Sequence, residues 1–215
     1  MKAATGRVEF RSLSAAYGGV EAVRSASLVV APGERVAIVG ANGSGKSTLL
    51  RCLLGLHRGS TRGDVLVDGT AAVSAAERDA RRRAVAYVPQ RPPHGRFPLR
   101  VGELVASSDA PTAAREAALL LGLGDLLRRP VDTLSGGQVQ RAFLARAIGC
   151  VAAGAVVVAA DEPTSALDFT GQAEVADVLL GLRVTTLIVT HDSAFAARCD
   201  RAVTMAAGEL RAAHG

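Results

Sequence analysis

Short apolar runs and amphipathic stretches alternate along this chain, and their spacing predicts strands and helices in turn. Near the N-terminus, the segments 8–13 and 20–30 alternate between apolar and polar positions as half-buried strands do, and a tyrosine–glycine–glycine sequence at 17–19 predicts a turn between them. Four apolar runs have the length of fully buried strands: 36–39, 85–88, 155–160 and 185–190. Shorter strands are predicted at 63–69 and 202–205.

Helical periodicity follows most of the buried strands. Helices are predicted at 75–83, 101–107, 112–121, 135–152, 170–182 and in a segment that ends near residue 199. Because strands and helices alternate, the sequence predicts an α/β fold with a mainly parallel sheet covered on both faces. The stretch 91–133 differs, since a proline-rich start leads only into amphipathic helices. We interpret it as a helical subdomain inserted into a single domain, 1–215, whose catalytic core and antiparallel β subdomain comprise 1–90 and 134–215.

Composition narrows the class of protein. A chain of 215 residues with 49% hydrophobic positions can bury one sizeable core, which argues against disorder. The longest apolar stretch, 151–160, is too short to span a bilayer, and the absence of an apolar signal segment predicts a cytoplasmic location. The cysteines are odd in number and scattered, which fits neither a disulfide framework nor a zinc site, and we expect small buried residues at Cys52, Cys150 and Cys199.

The positive charge does not by itself indicate nucleic acid. The chain carries a formal net charge of +5, but its arginines are dispersed and only 3% of its residues are aromatic, whereas single-strand binding normally uses stacking aromatics beside the charge. The compact run 81–83 is explained equally well by a solvated helix face or by contact with an anionic membrane surface or partner. No nucleic-acid partner is therefore expected.

A glycine-rich segment, 40–48, lies between the apolar run 36–39 and a helix-like stretch. Its spacing, G-x-x-x-x-G-K-S, in that strand–turn–helix context predicts a P-loop, in which backbone N–H groups and a helix N-terminus surround phosphate oxygens. Lys46 can reach the β- and γ-phosphates, and the Ser47 hydroxyl can hold Mg²⁺. The sequence thus predicts a P-loop NTPase core. The residues predicted to contact the nucleotide here are Gly40, Asn42, Gly43, Ser44, Gly45, Lys46, Ser47 and Thr48.

Polar residues follow three further buried strands at the points where those strands end. They are Gln90, the pair Asp161–Glu162, and His191. Because ligands bind outside the carboxyl ends of the strands in open α/β sheets, we expect all four beside the P-loop. Asp161 can accept hydrogen bonds from Ser47 or metal-bound water, and Gln90 can complete a magnesium shell. Glu162 can act as general base, and His191 can hydrogen-bond the γ-phosphate.

A second phosphate-compatible helix start lies at Leu134–Gln138. Ser135 is a good N-cap, and the paired glycines that follow it leave the helix N-terminus bare, as an anion site requires. Taken alone, the stretch would more simply be a capped helix. Since the P-loop already accommodates one triphosphate, a spare helix end suggests a site for a second molecule.

These segments together resemble the ABC-type ATPases over nearly the whole chain. The P-loop is their Walker A motif, and Leu134–Gln138 is their signature sequence. The remaining matches are the Walker B segment 156–162, the D-loop 165–168 with Asp168, a Q-loop centred on Gln90, the switch residue His191, and Tyr17, the aromatic that stacks on adenine.

The resemblance implies ATP and Mg²⁺ as cofactors and a head-to-tail ATPase dimer, either a homodimer or a pseudo-symmetric one. Each ATP would lie between Walker A of one copy and Ser135, Gly137 and Gln138 of the other, with Lys46, Glu162 and His191 as catalytic residues. It further implies that Gln90 passes movement into 91–133, where a membrane permease would dock. The chain would then be a peripheral subunit on the cytoplasmic face of a bacterial membrane, with a solute-binding protein as an indirect partner.

The segment 88–93, followed by 97–101, is similar to that of metal-ion importers, which implies import of a divalent metal such as zinc, manganese or iron. Other small solutes remain an alternative. Non-transport relatives act in DNA repair or translation, but repair relatives carry a long coiled coil between Walker A and the signature, and translation relatives usually join two ATPase domains. A nucleotide-gated module without hydrolysis is the third alternative, against which the intact Glu162 and His191 argue.

Overall fold

The computed structural model describes residues 5–90 and 99–212. Its strands are β1 (Val8–Tyr17), β2 (Val20–Val30), β3 (Arg35–Val39), β4 (Ser60–Val67), β5 (Thr70–Ala71), β6 (Val85–Val88), β7 (Val157–Asp161), β8 (Thr185–Val189), β9 (Arg201–Ala206) and β10 (Glu209–Ala212). Its α-helices are α1 (Lys46–Leu53), α2 (Ala75–Ala84), α3 (Val101–Ala106), α4 (Pro111–Leu120), α5 (Gly136–Ala152), α6 (Phe169–Gly181) and α7 (Ser193–Ala197). Among these helices, none combines the length and apolar character needed to cross a membrane.

An antiparallel four-stranded sheet contains most of the N-terminal part of the chain, in the order β2-β1-β4-β5. A two-residue turn joins β1 to β2, and its residues Gly18 and Gly19 both have positive φ, which glycine adopts without strain. Strand β1 extends beyond the predicted end at residue 13. The reason is a register shift around Ser12, which has φ 46°, followed by a second irregularity at Ser25 of β2, whose N–H donates to the Ser14 hydroxyl. Such bulges change the phase of apolar alternation, so the pattern stops before the strand does.

The second sheet has six strands in the order β10-β9-β3-β8-β7-β6. Strands β9, β3, β8, β7 and β6 are mutually parallel, which confirms the predicted α/β fold with a mainly parallel sheet. The sequence analysis missed β10, which pairs antiparallel with β9 across a turn at Ala207–Gly208. Its four residues include only one large apolar side chain, Leu210, so they form no apolar run of the kind that predicted the buried strands.

Both faces of the parallel sheet are covered. Along β7, Val157 and Ala159 point into the core shared with α1 and the antiparallel sheet, whereas Val158 and Ala160 point into the core shared with α3 to α6. This strict alternation within a run of apolar residues explains why no polar position interrupts the strand. Strand β7 ends at Asp161, at the same edge of the sheet as the loop that begins after β3.

The described part of the predicted helical subdomain, 99–133, contains α3, α4 and short 3₁₀ turns at Gly124–Leu126 and Val131–Thr133. Helix α4 packs closely on α5: a Cβ at Gly149 would lie 2.5 Å from the Ala114 Cβ. The proline-rich start of this subdomain, 91–98, lies outside the described residues, and with it residues 91–93 and 97–98 of the segments compared with metal-ion importers. The division into subdomains therefore stays a prediction.

Two interpretations of single residues need correction. Arg81 does not lie on a solvated helix face, because it is 5% exposed and donates hydrogen bonds to three main-chain carbonyls, those of Leu53, Val65 and Thr70. Burial lowers the pKa of this guanidinium. Of the cysteines, only Cys52 is buried, whereas the other two are half-buried on α5 and after α7.

Candidate functional site

The phosphate loop is fixed by close packing between the two sheets. A Cβ at Gly40 would lie 2.1 Å from the Met205 carbonyl oxygen on β9, and a Cβ at Gly45 would lie 2.2 Å from that of Ala22 on β2. Gly45, with φ 108°, precedes α1 and forms no side-chain cap, so no side chain covers the first N–H groups of the helix. The backbone thus offers uncovered donors at a helix N-terminus, the arrangement that suits phosphate.

The remaining loop residues divide into exposed and buried positions. Asn42 and Gly43 are exposed at the tip, whereas Ser44 and Thr48 are buried below it. Lys46 is 5% exposed, and its Nζ donates to the carbonyl oxygens of residues 40 and 41 at 2.7 and 2.9 Å. The ammonium therefore curls back over the loop that the sequence predicts to hold the phosphates.

Two of the predicted magnesium residues meet at this loop. The Ser47 hydroxyl donates to Asp161 Oδ1 at 3.0 Å, which connects the first turn of α1 to the end of β7. Burial raises the pKa of Asp161, and the Ser47 bond opposes that rise. Within the described residues no group of three or more His, Cys, Asp or Glu side chains forms a metal site. A hydroxyl beside one carboxylate fits Mg²⁺, which usually takes few protein ligands and completes its shell with phosphate oxygens and water.

Glu162 and His191 form a pair that the sequence analysis did not anticipate. Glu162 has φ 48°, which is unusual for a residue with a side chain, and its N–H donates to the Val189 carbonyl at 2.8 Å. The strained turn directs its carboxylate toward the end of β8, where His191 Nδ1 lies 2.7 Å from Oε2. The Glu162 side chain is 7% exposed and the histidine ring 66% exposed. A buried carboxylate is thereby held by an accessible imidazole.

The start of α5 is closed by its own side chains. Ser135 Oγ accepts a hydrogen bond from the Gln138 N–H at 3.3 Å, and Gln138 Oε1 accepts one from the Ser135 N–H at 3.0 Å. This capping box confirms Ser135 as the N-cap and shows that the helix end is less bare than the sequence analysis expected. A Cβ at Gly137 would lie 2.7 Å from Leu167 Cδ2, so the signature packs on the D-loop of its own chain.

Three further predicted site residues lie at the ends of secondary-structure elements. Gln90 follows β6, at the same sheet edge as Asp161, and is exposed. Asp168 caps α6, because its Oδ1 accepts from the Gly171 N–H at 2.9 Å. Tyr17 ends β1 and is 39% exposed.

Gln140 is a residue that sequence reasoning missed. It lies in the second turn of α5 and is 2% exposed. Its Nε2 donates to the carbonyl oxygens of Pro89 at 3.3 Å and Gln90 at 3.2 Å, so it connects α5 to the segment after β6. The available signal was a glutamine at a core-facing helical position, since a buried amide requires a partner.

A protein-family profile described as ABC transporter matches residues 23–165, which is more than half of the 215 residues. The chain belongs to the ABC transporter family. It is 38% identical over 207 residues to the lipoprotein-releasing system ATP-binding protein LolD of Alcanivorax borkumensis, with 89% of each chain covered. It is also 38% identical over 215 residues to the Fe(3+) ions import ATP-binding protein FbpC 2 of Rhodococcus jostii, covering 94% of this chain but only 60% of that protein.

Among solved structures, a dimeric post-hydrolysis state of the ATP-binding cassette MJ0796, bound to ADP and Pi, superposes with a TM-score of 0.82 at 25% identity. The match covers 97% of this chain and 99% of that one. The ABC transporter chain described here is accordingly an ATP-binding subunit and, by class, an ATPase.

Proposed function

We propose that this ABC transporter subunit hydrolyses ATP in a head-to-tail dimer and thereby drives transport through a separate membrane permease. The observation that carries this proposal is the buried Glu162 carboxylate, held by His191 beside the Ser47–Asp161 pair at the mouth of the phosphate loop. A buried carboxylate next to a phosphate cradle can accept the proton of an attacking water. A module that only binds nucleotide would not need that group.

Each polar residue around the phosphate loop then has a distinct role. Lys46 leaves its loop carbonyls to contact the β- and γ-phosphates, and the loop N–H groups hold the remaining phosphate oxygens. Ser47, Asp161 and Gln90 are the residues that would hold Mg²⁺, which when bound neutralises phosphate charge. His191, freed from Glu162, donates to the γ-phosphate.

The second half of the nucleotide site comes from the partner copy. Ser135, Gly137 and Gln138 lie at a helix start that carries neither a lysine nor a metal-binding carboxylate in its first turn. Such a site suits a nucleotide already held by another chain. The dimeric solved relative supports this arrangement, and in it Asp168 would lie near the dimer interface.

The proposed membrane partner is an integral permease that contacts residues 91–133. The subunit would then lie on the cytoplasmic face of a bacterial membrane, with a solute-binding protein as an indirect partner and no role for nucleic acid. The cargo we infer is a metal ion, the divalent class predicted from the sequence. The relative named for iron import supports a metal cargo. The relative named for lipoprotein release has the same 38% identity and gives no support to a metal, so another small solute is the alternative cargo.

Replacing Glu162 by Gln tests the mechanism. The amide cannot accept the proton, whereas the phosphate contacts are unchanged. ATP hydrolysis should therefore fall by about 10²-fold or more while ATP binding persists and a dimer accumulates. The comparison variant, Lys46→Ala, should instead weaken ATP binding itself by about tenfold or more. Steady-state hydrolysis, calorimetry and size-exclusion chromatography with ATP measure these effects. Unchanged turnover in Glu162→Gln would refute the assignment.

Co-purification from native membranes tests the partner. Recovery of a multi-span permease with the tagged chain would support transport, and loading the complex with radioactive metal ions would test the cargo. Recovery of ribosomes or DNA-repair proteins without a permease would instead favour a non-transport ATPase.

A further inference from the structure

The aromatic ring at the end of β1 is held in place by two side chains from one neighbouring segment. The His57 ring lies 4.5 Å from that of Tyr17, centroid to centroid, at an interplanar angle of 65°, an edge-to-face contact. The Arg51 guanidinium donates to the Tyr17 hydroxyl at 3.4 Å, and that bond raises the pKa of Arg51. Tyr17 itself stays 39% exposed, so part of its ring is free to contact a ligand.

His57 is itself fixed by the backbone. Its Nε2 lies 3.2 Å from the Ala16 carbonyl oxygen, which requires the tautomer with the proton on Nε2. Gly59 makes this close approach possible, because a Cβ there would lie 1.8 Å from the Ala16 oxygen and 2.7 Å from Nε2. The imidazole is thus anchored one residue before Tyr17 and presses against its ring.

Both contacts arise from the helix that begins at the phosphate loop. Lys46 and Ser47 form the first turn of α1, Arg51 lies in its last turn, and His57 follows in the loop that leads to β4. At about 1.5 Å of rise per residue, the helix places Arg51 roughly 8 Å along the axis from Lys46. One rigid element therefore sets the separation between the phosphate cradle and the Tyr17 ring.

We propose that His57 is a positioning residue for the base of the bound nucleotide: it holds the Tyr17 ring at a fixed orientation and distance from the phosphate loop. This inference rests on the proposed function, in which Tyr17 stacks on adenine. An edge-to-face aromatic contact contributes about 0.5–1.5 kcal/mol, which corresponds to an affinity change between about twofold and tenfold. A ring ordered before the ligand arrives loses less conformational freedom on binding.

The test compares a ligand that has a base with one that lacks it. The ligands are ADP and inorganic pyrophosphate, each with magnesium, and the measurement is calorimetry on the full chain. His57→Leu should weaken ADP binding by about two- to tenfold and leave pyrophosphate binding unchanged. Tyr17→Ala should do the same to a greater extent. Leu56→Ala, in the same loop and with a side chain 48% exposed, is the control that should change neither affinity.

The double variant distinguishes positioning from general stabilisation. If His57 acts through the Tyr17 ring, adding His57→Leu to Tyr17→Ala should cause no further loss of ADP affinity. Equal loss of ADP and pyrophosphate affinity in His57→Leu would overturn the inference, because a structural role affects both ligands. Additive losses in the double variant, or an ADP affinity unchanged by His57→Leu, would overturn it too. A wild-type chain that binds no ADP would contradict the proposed function itself. That result is distinguishable from the others, because each of them requires a wild-type chain that binds ADP.

Discussion

Helices α1 and α5 both begin beside glycines and both match phosphate-binding motifs, but their first turns are completed in different ways. The α1 start has no side-chain cap, a buried lysine, and a hydroxyl bonded to Asp161. The α5 start is capped by Ser135 and Gln138 and lies on the D-loop of its own chain. The first site thus contains a cation and the carboxylate that we propose to hold magnesium, whereas the second has only backbone dipoles and uncharged polar groups.

This difference explains why the two sites should have different ligand requirements. Backbone N–H groups at a helix end contribute modestly to anion binding unless another charge assists. We therefore expect α1 to bind nucleotide in a single chain and α5 to engage only a nucleotide that is already bound elsewhere. The following variants test this comparison, from the largest expected effect to the smallest.

The same substitution at the two helix starts should lower stability strongly at one and hardly at the other. Gly45→Ala would place a methyl group 2.2 Å from a backbone oxygen at φ 108°, so the free energy of unfolding should fall by about 3 kcal/mol or more. The methyl of Gly137→Ala would lie 2.7 Å from the end of the Leu167 side chain and at an ordinary 3.4 Å from the Ala166 carbonyl oxygen, and alanine is the better helix former. Its stability should stay within about 1 kcal/mol of wild type. Urea denaturation measures both.

Nucleotide affinity and ATP turnover should also distinguish these two variants. Gly137→Ala should retain ADP affinity while losing ATP turnover, since the added methyl presses on Leu167 of the D-loop, beside the helix start that we propose to contact the nucleotide of the partner. Gly45→Ala should lose nucleotide affinity together with stability. Reduced ADP affinity in monomeric Gly137→Ala would contradict the division of roles between α1 and α5.

Replacing Gln140 by Met tests the connection between α5 and the segment after β6. The near-isosteric side chain leaves the carbonyls of Pro89 and Gln90 without their donor, which should cost about 1–3 kcal/mol of stability. Turnover should fall severalfold at unchanged ADP affinity. Thr186→Val is the matched control, because it removes a hydrogen bond from a buried hydroxyl to the Val184 carbonyl at the opposite end of the sheet. Equal turnover losses in both variants would reduce Gln140 to a stabilising role.

The smallest effect is expected for Ser135→Ala. Loss of the cap should lower the stability by about 1 kcal/mol, which for a chain of this size is a melting temperature lower by about 2–4 °C. ATP turnover should fall while ADP binding by a single chain does not change. Ser74→Ala removes the equivalent capping box of α2 and should lower the melting temperature alone. If Ser74→Ala also slowed turnover, the effect at Ser135 would be one of stability only.

Local patterns in the sequence were sufficient for much of the fold and of the site. The alternation of buried strands and helices predicted the parallel sheet, and the strand–turn–helix context of residues 40–48 predicted the loop that the structure places between β3 and α1. Polar residues at strand ends predicted that Ser47 and Asp161 would meet. In each case the information lies within a few residues or in a rule of sheet topology.

The features that were missed depend on distant pairings. The contact between Glu162 and His191 requires a positive φ at Glu162, and a glutamate in the sequence does not indicate that conformation. The burial of Arg81 depends on three carbonyls from α1, β4 and β5, and a run of arginines on a helix looks the same whether or not such acceptors are present. The structural roles of Gln140 and His57 likewise depend on hydrogen bonds to backbone carbonyls that are far away in the sequence.

The close approach of the phosphate loop to both sheets has a thermodynamic consequence. Gly40 contacts β9 of the parallel sheet and Gly45 contacts β2 of the antiparallel sheet, so the loop keeps its shape only while both sheets are folded. A ligand that binds this loop therefore adds its binding free energy to the stability of both sheets at once. Nucleotide should make the two sheets unfold as one cooperative unit, with amide protons in β2 and β9 protected from exchange to the same extent.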